Sequence, residues 1–298
     1  MSGADHLTKA AADVLDLSPS ERINYIRSPR WIGYSKAKQV LDRLEDLIDC
    51  PKRHRMPNLL IVGDTNNGKS MIINRFAAKH PAYDRPEEET VHVPVLLVES
   101  PPVPSETRLY DKILAKLFSP YRVNDKPERK QRQVVDLLQQ VNTRMIIIDE
   151  IHNLLAGSTS KQREYLNVIK GIGNELQIPM IGAGTREALR AVNTDHQLGN
   201  RFEPVGLPRW QNNDEYLQLL ASYECMLPLR IPSNLTDQDI AMKLLVMSEG
   251  LIGELSEILS RAAIYAVEAG SEKITKNALD SIGWVPPSKR RQLSETVF

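Results

Sequence analysis

The sequence predicts an α/β fold in which a five-stranded, mainly parallel sheet is flanked by helices and followed by a small all-helical domain. Three observations predict it. Apolar runs at residues 59–62, 93–98, 145–148 and 178–181 are too short for helices and alternate with segments of helical periodicity. A glycine-rich loop, residues 63–70, separates the first run from the helical pattern behind it. Beyond Gln211 the strand signal ends and only helical patterns remain. Short buried runs joined by helical crossovers are what a parallel sheet requires.

In chain order, residues 1–57 read as a helical lead-in. Ser18 stands before Pro19 and three residues before Glu21, a helix start, and residues 34–48 repeat apolar side chains at helical spacing. A basic linker follows at 50–57. The core, 58–210, holds the four runs named above and a fifth strand at Phe202 to Leu207. Residues 211–284 form a helical lid with helices expected at 214–224, 237–248, 251–269 and 275–282. A flexible tail, 285–298, begins with Pro286-Pro287 and carries Lys289, Arg290 and Arg291.

Composition narrows the function. With 38 basic and 38 acidic side chains the formal charge is zero, so any contact with nucleic acid has to come from a local patch. Cys50 and Cys225, the only cysteines, lack a metal or redox spacing and suit a reducing cytoplasm. No apolar run approaches the roughly 20 residues that cross a bilayer, and the first 16 residues lack the apolar core of a signal peptide.

Gly63, Asp64, Thr65, Asn66, Asn67, Gly68, Lys69 and Ser70 match Gly-x-x-x-x-Gly-Lys-Ser/Thr, directly after a strand and before a helix. Glycines let successive backbone N–H groups and a helix N-terminus converge on phosphates. Lys69 is expected to reach the β and γ groups of ATP and Ser70 to ligate Mg2+. The run ending in Asp149 and Glu150 supplies two carboxylates at a strand's C-terminal end, expected next to the phosphate loop in the sheet. Asp149 is expected to hold magnesium through water, and Glu150 to polarise the water that attacks the γ-phosphate. His152 reads as a hydrogen-bonding neighbour, not as a chemical participant.

This order of motifs, continued by Gly182-Ala183-Gly184-Thr185, Asn200-Arg201-Phe202 and a helical lid, resembles the AAA+ ATPases. The resemblance places Thr185 at the sensor-1 position and Arg201 at the arginine finger, with Arg209 the competing candidate. In that family the finger completes a neighbouring subunit's site, which implies oligomerisation. More narrowly, the chain is similar to the TniB and TnsC transposition ATPases. That similarity rests on Ser28-Pro29-Arg30-Trp31-Ile32-Gly33-Tyr34, the phosphate loop, Ile147-Ile148-Asp149-Glu150-Ile151-His152-Asn153, Gly182 to Thr185, Arg201-Phe202 and Gly250-Leu251-Ile252-Gly253-Glu254-Leu255. It implies Trp31, Ile32 and Tyr34 as an apolar wall for adenine. It also implies a ring or helical filament on double-stranded DNA, and a transposase and a target-selection protein as partners. One departure stands out: Gly253 and Glu254 occupy the region where many lids place a sensor-2 arginine, and none follows until Arg261. Slow, switch-like hydrolysis is the expectation. A helicase loader or replication initiator, and a signalling switch without DNA, are the rival readings.

The densest basic stretch lies between the second strand and the Asp149 strand. By the same resemblance Thr107, Arg108, Lys126, Arg129 and Lys130 are nominated for sequence-independent contacts to the duplex backbone, the alternative being a solvated helix face.

Overall fold

The computed structural model describes residues 5–88, 90–193 and 201–290. The chain opens with α1 (Lys9–Ala12) and α2 (Pro19–Arg27). Ser18 caps α2 through the reciprocal box its sequence promises: Glu21 N–H donates to Ser18 Oγ, and Ser18 N–H to Glu21 Oε2 at 3.0 Å. Next come α3 (Ser35–Ile48), β1 (Asn58–Gly63), α4 (Lys69–Lys79), β2 (Tyr83–Arg85), β3 (Thr90–His92), β4 (Val95–Glu99), α5 (Glu106–Lys116), α6 (Pro127–Gln140) and β5 (Met145–Asp149). A 3-10 turn (Ile151–Ala156) leads to α7 (Thr159–Leu176), β6 (Met180–Gly184), α8 (Arg186–Asn193) and β7 (Phe202–Leu207). Further helices follow: α9 (Asp214–Met226), α10 (Gln238–Ser248), α11 (Ile252–Glu268) and α12 (Lys276–Ser281).

Five strands form one parallel sheet in the order β4-β5-β6-β1-β7. Every residue of β1 and β6 is buried, as are the first four of β5, because helices cover both faces. Leu60, Ile146 and Ile148 pack on one face with Tyr110, Leu138 and Tyr165. Since all five strands point the same way, the loops that follow them meet at one edge of the sheet, and the site is built there. The antiparallel pair β2–β3 is short and largely exposed. No sequence pattern announced it, since three-residue strands carry no periodicity.

The chain divides into two units, one of residues 36–208 and one that joins the residues up to Ser35 with those from Arg209 onward. The lead-in expected over 1–57 is therefore split. Ile26 and Ile32 are buried in the core of the helical unit with Tyr216, Leu244, Ile258 and Leu259. Arg22, itself buried, pairs with Glu272 at 2.5 Å and donates to Pro228 O at 2.7 Å. The core boundary set at 210 moves for the same reason: Trp210 packs on Tyr34 and Tyr216 within the helical unit. The start of the expected tail is structured too, since Ser288 N–H donates to Glu249 Oε1 at 2.9 Å and Arg290 lies 4.8 Å over the Trp284 ring. The remainder of the tail, from 291, lies outside the described residues. Among those residues no helix is long and apolar enough to cross a membrane.

Candidate functional site

The site begins where β1 ends. A side chain at Gly63 would press on the β-carbon and carbonyl of Leu207, at 3.2 and 3.3 Å, so close packing against β7 favours glycine. Gly68 turns the chain left-handed at φ 84°, and α4 starts directly behind it with no side chain capping its N-terminus. The first N–H groups of α4 are thus left for an anion. Asn67, nearly fully buried, donates from Nδ2 to Leu207 O (2.9 Å) and Pro208 O (3.1 Å) and so ties the loop to the end of β7. Its side chain is structural, which leaves its backbone for a ligand.

Lys69 folds back over this loop and donates from Nζ to the carbonyls of Gly63 (2.9 Å) and Asp64 (2.8 Å). Burial pulls its ammonium below the ordinary lysine range, opposed by the nearby charges of Glu150, Asp149 and Asp64. Ser70 Oγ donates to Asp149 Oδ2 at 2.8 Å. This joins the phosphate loop to the carboxylate strand, although the two strands are not neighbours. In the strand order β6 stands between β1 and β5. The carboxylate bridges the gap because both strands end at the same edge. A hydroxyl and a carboxylate converging as hard oxygen ligands suit magnesium.

Glu150 has a left-handed backbone (φ 52°), costly for a residue with a β-carbon and common where a site holds strain. Its N–H donates to Asp149 Oδ1 at 2.9 Å, and its Oε2 lies 3.2 Å from His152 Nδ1. The same nitrogen accepts from the Thr185 N–H at 3.4 Å. One ring nitrogen thus faces an acceptor and a donor, and links the candidate base to the end of β6. Thr185 itself donates from Oγ1 to Glu187 Oε2 at 2.9 Å. Because β6 lies between β1 and β5, Thr185 emerges between the phosphate loop and the two carboxylates.

Arg186 was not anticipated. Its Nε lies 3.3 Å from Asp64 Oδ1 in the phosphate loop. The one signal in the sequence was its place beside Thr185, because a lone arginine announces nothing.

Arg201 donates to Asn174 Oδ1 at 2.8 Å and sits just before β7. Phe202 aligns with Asn58 and Leu207 with Gly63. Five strand steps, roughly 17 Å, therefore separate this end of the sheet from the phosphate loop, so Arg201 stands far from its own site. Arg209 belongs to the helical unit, where its Nη1 faces Glu249.

The remaining expected residues divide. Thr107 and the exposed Arg108 lie in the first turn of α5, just beyond the C-terminal end of β4. Lys126, exposed, caps α6, and Arg129 is 70% exposed. Lys130 is a correction: it is 1% exposed, with Nζ on Asp111 Oδ1 (2.6 Å) and Val123 O (2.9 Å), because the amphipathic α6 turns that position inward. It cannot reach DNA. Ile32 is a correction of the same kind, since the helical unit's core takes its side chain. Tyr34 stacks edge-on against Trp210, and burial, with the neighbouring Tyr223, pushes its hydroxyl up to about 12. At the position where a lid arginine was missed, Glu254 is buried and pairs with Arg290.

The family model for bacterial TniB protein matches residues 22–212. The chain is 25% identical over 165 residues, 55% of its length, to the ATP-dependent Clp protease ATP-binding subunit ClpE of Bacillus subtilis (strain 168). It spans only 22% of that relative. Among solved structures it is similar to Cdc6p from Pyrobaculum aerophilum, with a TM-score of 0.59 at 14% identity, covering 84% of this chain and 68% of that one. It is similar also to the Aeropyrum pernix ORC1 protein in complex with DNA, with a TM-score of 0.58 at 14% identity and coverages of 87% and 68%. The Aeropyrum pernix ORC2 protein gives a TM-score of 0.57 at 16% identity, with coverages of 83% and 65%. At such identities the structural likeness is one of fold. The family match takes in more than half of the chain, which therefore belongs to the TniB family.

Proposed function

We propose that the chain is an ATP-controlled, DNA-binding regulator of transposition. It assembles on duplex DNA as a ring or helical filament, meets a transposase and a target-selection protein there, and is released by slow hydrolysis of ATP. The observation that carries the nucleotide chemistry is the 2.8 Å contact between Ser70 and Asp149, which joins the phosphate loop to the carboxylate pair. The family match supports the transposition role.

In this reading Lys69 exchanges its two carbonyl partners for the β and γ phosphates, and the uncapped start of α4 receives their remaining charge. Ser70 and Asp149 would hold magnesium, which when bound supplies positive charge to the bridging phosphate oxygens. Glu150 takes the proton of the attacking water, giving ADP and inorganic phosphate, while Thr185 holds the γ-phosphate end. Arg201 serves a neighbouring copy, in keeping with its distance from its own phosphate loop. A triphosphate gripped by two copies favours the assembly only while the γ-phosphate lasts. Thr107, Arg108, Lys126 and Arg129 contact DNA phosphates without reading sequence. The buried Glu254, in place of a lid arginine, supports slow turnover.

Gel retardation on random duplex DNA tests this reading, with ATP, without nucleotide, and with ATP and the Glu150→Gln variant. Retardation should depend on ATP, ignore sequence, and persist longer in the variant, whose turnover should fall by about 10²–10⁴-fold. Retardation indifferent to ATP would refute it. A requirement for single strands or one particular sequence would point instead to a loader or initiator.

A further inference from the structure

The loop where α5 hands over to α6 holds none of the residues proposed for the phosphate chemistry, and the residues proposed to meet DNA enter it only at its far end, at the start of α6. Phe118, directly after α5, has a left-handed φ of 52° although it carries a β-carbon, and its side chain is 96% exposed. Val123, five residues on, is also largely exposed. The loop that presents them is braced from beneath. Gln133 Nε2 donates to Pro120 O (2.8 Å) and Ser119 Oγ (3.2 Å), and the buried Lys130 donates to Val123 O (2.9 Å) while paired with Asp111 (2.6 Å). An ammonium is taken out of water only where a partner offsets the loss of hydration, as Asp111 does here. A strained aromatic residue and a buried ion pair thus hold in place a loop whose crest turns two apolar side chains to solvent.

Beside the crest opens a cleft of about 610 Å3, lined by Tyr121, Arg122, Asp125, Arg129, Arg132 and Asp136 among others. Arg129 meets Asp125 only at 3.5 Å, and among the described residues neither Arg122 nor Arg132 forms an ion pair. Exposed apolar knobs beside unpaired guanidiniums are the composition of protein interface hot spots, where aromatic residues and arginine dominate.

We propose that this corner docks a segment of a protein partner that is acidic and bears at least one apolar side chain. Its carboxylates pair with Arg122 and Arg132 in the cleft, and its apolar side chain covers Phe118 and Val123. A nucleic acid backbone fits less well, because it would leave the exposed apolar crest of Phe118 and Val123 without use. The inference is independent of the nucleotide reading, since it needs neither ATP nor DNA.

The test is selection of random dodecapeptides displayed on phage against the immobilised full chain, repeated on the Phe118→Ser/Arg132→Glu variant. Sequences recovered on the unaltered chain should converge on clustered Asp or Glu beside Leu, Ile or Phe. A synthetic peptide of that consensus should bind the variant about tenfold or more weakly. The Val123→Ser/Arg122→Glu variant, altered on the other side of the loop, should show the same loss, and unchanged thermal melting of either variant secures the comparison. No convergence, convergence on peptides without acids, or equal binding by chain and variants would overturn the proposal. So would loss of duplex retardation in the same variants, which would make the corner a nucleic acid surface.

Discussion

Lys69 and Lys130 are both buried ammoniums of the same α/β unit, 6% and 1% exposed, and they differ in what faces them. Lys69 donates to two carbonyl oxygens, of Gly63 and Asp64, and the carboxylates near it act from a distance. Lys130 donates to the Asp111 carboxylate and to one carbonyl. Neutral acceptors hold a cation in place without cancelling its charge, which stays available to an incoming anion. A carboxylate cancels it. Burial alone therefore does not tell what a buried lysine is for; the charge of its partner does.

The largest effect should follow from removing the available charge. Lys69→Ala should abolish ATP binding, on the order of 10³-fold or more in Kd, because a desolvated phosphate loses its ammonium. Its melting temperature should hold or rise, since the chain no longer buries a cation against neutral groups. Isothermal titration and thermal melting together check both halves, and a large drop in stability would erase the contrast with Lys130. The converse holds at Lys130. Lys130→Ala should leave ATP affinity within about twofold yet cost about 3–5 kcal/mol of stability, since it strands the Asp111 carboxylate. Lys130→Met with Asp111→Leu should recover most of that loss in denaturant titrations. If the double variant is as unstable as the single one, the pair is not what Lys130 contributes.

The same contrast marks how far the sequence could be read. The phosphate loop was legible because its chemistry requires glycine, lysine and serine at fixed spacing, which survives as a string of letters. The helical start at Ser18 and all five core strands were legible for similar local reasons. The run holding Arg129, Lys130 and Arg132 looks uniform as a string, and only the turn of α6 separates the inward Lys130 from its outward neighbours. Ile32 misled likewise: an apolar residue near a nucleotide motif announces burial but not which core buries it. His152 was legible as a hydrogen-bonding neighbour, of Glu150 and Thr185, but Arg186 was hidden because its role lies in a contact made across loops, to Asp64, and spacing does not record it. The strand order was out of reach as well: Asp149 reaches Ser70 across the end of an intervening strand, which no spacing records.

The smallest expected effect is also the one most specific to an uncancelled charge. Burial holds the folded pKa of Lys69 below the 10.5 of an ordinary lysine. As pH climbs through the window between that lowered value and 10.5, the folded chain without nucleotide gives up the Lys69 proton while the unfolded chain keeps its own. The unfolded state then binds more protons, so the contribution of Lys69 to stability rises with pH, by at most about 1.4 kcal/mol per unit. ATP requires the ammonium and must restore the proton, so its affinity falls over the same window, by at most about tenfold per unit. Stability and affinity should therefore move in opposite directions. Lys69→Arg, whose guanidinium stays charged throughout, should flatten both trends. Titrations of ATP at a series of alkaline pH values, each paired with a denaturant curve, would show the crossing. Parallel trends, or trends that Lys69→Arg leaves intact, would mean that some other group governs the site's charge.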